Sequence, residues 1–188
     1  MTRFAQLAPQ TATGKAKTLL DAVKAKMGLV PNMTRAMANA PSVLEGYLGL
    51  SGALAGGALT GQVREQLALA VAQKNGCDYC LAAHSTIGKM VGLTPDQIRE
   101  SRHASAGDAR TAALLAFAGR IVDSRGRVPD QDVAAARAAG WTDGELAEVV
   151  GHVALNVFTN YFNLVAGTDV DFPAAVALEP LQAASIAR

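Results

Sequence analysis

The stretch Asn75-Gly76-Cys77-Asp78-Tyr79-Cys80-Leu81-Ala82-Ala83-His84 settles the fold class, because it sets a Cys-x-x-Cys between two helical patterns. Upstream, Thr60 is a plausible N-cap for a helix over 61–75, and Gly76 stops it. Downstream, helical spacing runs over 77–91 and ends at Gly92. A thioredoxin-like Cys-x-x-Cys would instead sit in a βαβ rhythm, and the chain has no convincing alternating strand to build one.

Working outward, the punctuation stays helical. Leu19, Leu20, Val23 and Met27 recur at helical spacing before Gly28, and residues 28–32 form a turn into a short segment. Pro41 suits the first turn of a helix over 42–56. Thr94-Pro95-Asp96-Gln97 and Thr142-Asp143-Gly144-Glu145 are capping boxes, the second opening a long helix that ends before Gly167. Between them, Asp108 caps a helix running to about Ser124, and Asp130 starts a short one stopped by Gly140. The expectation is an all-α, compact multi-helix bundle with the Cys-x-x-Cys at a helix N-terminus. One domain would span 1–188, with 1–57 as N-terminal helices packed on a core of 58–167 and 168–188 as a tail, Ala-rich after Pro173 and suited to packing on a neighbour.

Composition narrows the function. Half of the residues are hydrophobic yet only 5% are aromatic, so Ala, Leu and Val fill a core of close-packed helices. Seventeen basic residues against 16 acidic ones leave no basic surplus for a phosphate backbone, which argues against nucleic acid as partner. The opening residues lack the apolar core of a signal peptide. Residues 48–59 are too short and Gly-broken to cross a membrane, and 149–166 carry His152, Asn156, Asn160 and Asn163, which are costly in lipid. The expected compartment is the cytoplasm, with no membrane partner. Two cysteines in a reducing compartment point to redox or metal chemistry rather than a structural staple.

Three physical points concern Cys77, Cys80 and His84. Cys-x-x-Cys at a helix start brings both sulfurs within disulfide reach. Thiols in a first turn meet unpaired N–H groups and the positive end of the helix dipole, which favour thiolate. His84 lies one turn beyond Cys80, and helical side chains lean toward the N-terminus, so its imidazole is expected to point back at Cys80. The dipole favours Cys77 as the lower-pKa thiol and the histidine favours Cys80; both remain open on these grounds, with the histidine the more specific influence. Glu65, twelve residues before Cys77, would reach His84 if the two helices form a hairpin, orienting the imidazole and raising its basicity. Cys77, Cys80, His84 and Glu65 are also a conceivable zinc set, although structural zinc sites draw on two separated ligand pairs and no second pair exists.

Glu65, eleven intervening residues, and Cys77-x-x-Cys80-x-x-x-His84 together resemble the signature of the alkylhydroperoxidase D group within the carboxymuconolactone decarboxylase-like superfamily. Thr60-Gly61-Gln62-Val63-Arg64-Glu65 and the Asn-Gly-Cys-x-Tyr-Cys-Leu-Ala-Ala-His string are similar to its peroxidase-related branch. The likeness is specific over 60–92 and looser over 28–167. It implies an all-helical homo-oligomer that reduces organic hydroperoxides through a dithiol–disulfide cycle without cofactor or metal, recharged by a dithiol reductant of protein or lipoyl type. Carried over by position, Cys80 would be the peroxidatic thiol, passing through a sulfenic acid, and Cys77 would resolve it to a disulfide. Glu65, His84 and a water would relay protons. The best-known members have a second histidine between the cysteines; here that position is Tyr79, a candidate substrate contact. The alternatives are a carboxymuconolactone decarboxylase-like lyase, which needs no dithiol, and a non-catalytic zinc or redox-sensing module.

Two other features complete the reading. His103, in a polar loop beside Arg102, is expected at the surface. The stripe His152, Asn156, Asn160 and Asn163 runs along an apolar helix, so its polar groups need partners or water. An exposed or internally satisfied stripe is the first expectation; a place at a subunit interface or in the substrate pocket is the sharper one.

Overall fold

The computed structural model describes residues 2–178, and among them it contains nine α-helices and no strand. These are α1 (Gly14–Met27), α2 (Asn32–Met37), α3 (Pro41–Ala55), α4 (Gly61–Asn75), α5 (Asp78–Met90), α6 (Pro95–Arg102), α7 (Ala109–Ser124), α8 (Asp130–Ala138) and α9 (Asp143–Ala166). The short segment after Pro31 closes into α2. Caps account for most boundaries. Thr60 accepts from the Val63 N–H and Asp108 from that of Thr111, while Thr94 and Thr142 form full capping boxes. Gly76, at φ 64°, takes the left-handed conformation that ends α4 and turns the chain at once into α5.

The central helix is α4. Seven consecutive residues, 66–72, are buried, because α5, α6, α7 and α9 pack around it. Its Ala68, Ala70 and Ala72 let those neighbours approach closely, while Leu67 and Leu69 point into two separate apolar clusters. One gathers Leu67, Val71, Leu114, Leu115, Trp141 and Val149. The other holds Leu20, Met37, Leu44 and Leu69 around Cys77, Tyr79 and Cys80. Each fully buried leucine contributes about 1.5–3 kcal/mol by leaving water. The Cys-x-x-Cys motif therefore lies in a packed layer built partly from the N-terminal helices.

By length and composition α9 could cross a membrane, yet here its inner side packs on α3, α4, α5 and α7 and carries polar residues. The Glu148 carboxylate of α9 accepts the backbone N–H groups of Ala58 and Leu59, fastening the loop that leads into α4. The approach is so close that a Cβ at Gly57 would run into that carboxylate. Residues beyond α9 fold back over the motif: Asp171 accepts the Asn32 N–H at 2.7 Å, and Phe172 meets Tyr79 edge-on. The remainder of the Ala-rich tail, 179–188, lies outside the described residues, as does any packing of it on a neighbour.

Candidate active site

Cys77 is the N-cap of α5 rather than its first residue, and its Sγ accepts the Cys80 backbone N–H at 3.2 Å. The two cysteines are joined in a disulfide with their Cα atoms 5.3 Å apart, and both are buried. This geometry follows from the turn. Gly76 closes α4, Cys77 stays extended at φ −93° and ψ 93°, and the first turn of α5 then returns Cys80 beneath it.

Across the α4–α5 hairpin, His84 Nδ1 lies 2.7 Å from Glu65 Oε2. The hairpin expected from spacing therefore brings these two together. A carboxylate partner accepts hydrogen bonds, so Nδ1 is the donor of this contact and Nε2 is the nitrogen left for proton exchange. The expected direct approach to Cys80 is not found. Among the described residues no hydrogen bond joins His84 to either sulfur, because Glu65 draws the ring across toward α4. Any proton path between His84 and Cys80 must pass through the space between them.

That space is a cavity of about 350 Å³. Cys80, His84, Glu65 and Tyr79 line it, facing Met33 of α2 and Tyr47 of α3. Cys77 is not on its wall. Cys77 instead borders a more open depression of about 470 Å³, shared with Gly76, Asp78 and the 167–170 segment. The two bonded cysteines thus border different spaces.

The polar stripe of α9 turns inward. His152, Asn156, Asn160 and Asn163 are all buried, and all but Asn160 line the cavity beside Cys80. Asn156 donates to the His152 carbonyl, Asn160 accepts from Asn75, and Asn163 Nδ2 lies 3.4 Å from Cys80 Sγ and 3.2 Å from Met33 Sδ. The stripe is neither exposed nor internally satisfied, since His152 Nε2, Asn160 Nδ2 and Asn163 Oδ1 are buried without partners. The expectation failed because α9 is apolar on its outer side as well, where Phe158, Tyr161 and Val165 are exposed. Spacing marked the stripe, but hydrophobicity could not orient it.

Burial pushes His152 below the usual histidine range, helped by Arg64 and opposed by Glu148 and Glu65. Burial likewise pushes the Tyr79 phenol far up, with Asp171 adding to the effect, although its hydroxyl accepts the Met33 N–H at 3.2 Å. Tyr79 is therefore a neutral phenol whose ring walls the cavity while its hydroxyl engages α2. His103, the C-cap of α6, is half-buried. With the sulfurs bonded to each other and Glu65 on His84, the four residues weighed as a zinc set do not converge. Among the described residues no group of three or more His, Cys, Asp or Glu side chains is placed to hold a metal. Sequence reasoning missed Met33 and Tyr47, which carry no motif, and the sulfur contact of Asn163. Chemically, the arrangement offers a dithiol–disulfide couple, one sulfur opening on a cavity that also holds a carboxylate-oriented imidazole.

The family model for the carboxymuconolactone decarboxylase family matches residues 41–123. No curated protein matches the chain in sequence. A peroxidase-related protein from Ralstonia eutropha JMP134 with an alkylhydroperoxidase AhpD core superposes at a TM-score of 0.82 with 23% identity, covering 90% of this chain and 92% of that one. A peroxidase-related protein from Silicibacter sp. TM1040 gives 0.77 with 21% identity, over 89% and 91%. The debrominase Bmp8, as a cysteine-to-alanine variant in complex with 2,3,4-tribromopyrrole, gives 0.77 with 16% identity, over 91% and 92%. At these identities the structures establish a shared fold. The matched segment of the family model and this shared fold make the chain similar to carboxymuconolactone decarboxylase family and alkylhydroperoxidase AhpD-type proteins.

Proposed function

We propose that the protein is a thiol-dependent peroxidase that reduces organic hydroperoxides through a Cys77/Cys80 dithiol–disulfide cycle. The observation that carries this reading is the bonded Cys77–Cys80 pair, with Cys80 on the same cavity wall as the Glu65–His84 pair. His84 takes the Cys80 thiol proton through a water, the resulting thiolate attacks the hydroxyl oxygen of the peroxide, the O–O bond breaks, and Cys80 becomes a sulfenic acid. The alkoxide takes a proton, relayed from His84 through a water, and leaves as the alcohol. Cys77 then attacks the Cys80 sulfur, the Cys77 thiol proton passes to the departing hydroxide to give water, and the disulfide forms. A dithiol reductant, of protein or lipoyl type, returns two electrons and two protons and departs as its own disulfide. The apolar residues around the cavity suit the organic part of such a substrate, and the cycle needs a reducing compartment, which fits the cytoplasm.

The reading includes a homo-oligomer. Its support is the apolar outer side of α9, where Val150, Phe158, Tyr161 and Val165 are exposed at helical spacing. Light scattering should give a mass above that of one chain, and Phe158→Glu with Tyr161→Glu should reduce it to one. A single-chain mass for the unaltered protein would remove this part of the proposal.

Thiol counting tests the chemistry. Reduced protein treated with one equivalent of cumene hydroperoxide should lose two thiols per chain, release one equivalent of the alcohol, and contain no zinc. Unchanged thiols with bound zinc would favour a metal module. Unchanged thiols with decarboxylation of a muconolactone would favour the lyase.

A further inference from the structure

We propose that Asn163 of α9 is the hydrogen-bond donor that makes Cys80, rather than Cys77, the thiolate of the reduced pair. The inference rests on the reading of Cys77 and Cys80 as a redox couple and deepens it by assigning the sulfurs.

The observations converge on one amide. Asn163 is 3% exposed, and its Nδ2 reaches both Cys80 Sγ and Met33 Sδ, while its Oδ1 is buried with no partner. A buried amide that orphans its acceptor is held there by its donors, because an apolar residue of similar size would fill the space without that penalty. The backbone fixes its position. The Gly167 and Thr168 N–H groups both return to the Asn163 carbonyl at the C-terminal cap of α9, so the side chain sits on a rigid turn. Asn163 also borders both spaces, the cavity of Cys80 and the depression of Cys77, yet of the two cysteine sulfurs it donates only to that of Cys80.

The donor matters most when the sulfur is charged. An N–H to a thiolate is stronger than to a neutral thiol or a disulfide sulfur, more so in a site screened from water. The other titratable and charged groups on the cavity are Lys26 of α1, Tyr47 of α3, Arg64 and Glu65 of α4, Tyr79 and His84 of α5, and His152 of α9. Glu65 is engaged by His84, and the Tyr79 hydroxyl accepts the Met33 N–H with the Asp171 carboxylate beside it; among the described residues neither is hydrogen-bonded to Cys80. Cys77 holds a different donor, the N–H of Cys80, together with the helix start. The amide of Asn163 is the group that tips the balance toward Cys80, both as attacking sulfur and as the leaving sulfur when the disulfide is reopened.

The experiment follows iodoacetamide alkylation of the reduced protein against pH, with peptide mass spectrometry counting Cys77 and Cys80 separately. In the unaltered protein Cys80 should be alkylated at the lower pH. Asn163→Leu, close in volume, should move the Cys80 profile up by about one pH unit, a roughly tenfold slower reaction below the midpoint. Asn163→Asp, which keeps the shape but loses the donor and adds charge, should move it further. Loss of the stabilised thiolate should also lower the disulfide's reduction potential against glutathione by about 30 mV per tenfold change. A Cys80 profile unmoved in either folded variant, or Cys77 reacting first in the unaltered protein, overturns the assignment. Because alkylation involves no peroxide, failure of the peroxidase reading would show separately, as thiols that cumene hydroperoxide leaves intact.

Discussion

Cys80→Ser is expected to reduce hydroperoxide turnover to background, a loss of roughly a thousandfold or more, since the attacking atom itself is removed. Cys77→Ser should behave differently. It leaves the sulfur that faces the cavity but removes the one that closes the disulfide, so one peroxide is consumed per chain and a sulfenic acid accumulates on Cys80. A dimedone adduct on the Cys80 peptide of Cys77→Ser, and none on the Cys77 peptide of Cys80→Ser, is the expected pattern. Circular dichroism should show unchanged helix content in both, because α5 retains its own backbone bonds and Ser is itself a good N-cap at position 77. The reverse pattern of adducts would invert the roles.

The second large effect concerns the imidazole. His84→Ala should slow single-turnover oxidation of Cys80 by about 10²–10⁴, the range of a lost general acid–base group. Glu65→Gln should cost about 10–100-fold, the size of effect seen when a partner that orients a histidine is lost. The two losses should not add. Once His84 is gone, Glu65 has nothing to orient, and the double variant should match His84→Ala alone within a few-fold. Additive losses would mean that Glu65 acts on the substrate or the sulfur by another route. Rapid-quench measurement of remaining thiols after a single equivalent of peroxide distinguishes these outcomes.

Much of this was legible in residue order. Caps and stops are local chemistry, so Thr60, Thr94, Asp108, Thr142, Gly76 and Gly167 mark helix ends where the fold has them. The meeting of Glu65 with His84 was also within reach, because a two-residue turn between α4 and α5 leaves two adjoining helices few ways to pack. What residue order did not reveal depends on rotation about a helix axis and on contacts between distant segments. The imidazole of His84 leaves Cys80 for Glu65, a choice set by where α4 lies rather than by the i to i+4 spacing. The α9 stripe was visible but its direction was not, since apolar residues occupy both of its flanks. Met33 reaches the site only through the packing of α2 on the motif, and nothing near Pro31 announces it.

Glu65, Cys77, Cys80 and His84 all fall within the twenty residues 65–84 of the α4–α5 hairpin, whereas much of the remaining wall of the cavity beside Cys80 is contributed by α2, α3 and α9. On the proposed reading, electron transfer and molecular selection are therefore carried by separable parts of the chain. Residues such as Met33, Tyr47 and Leu155 can change size or polarity to admit a different guest while the hairpin keeps the same couple running.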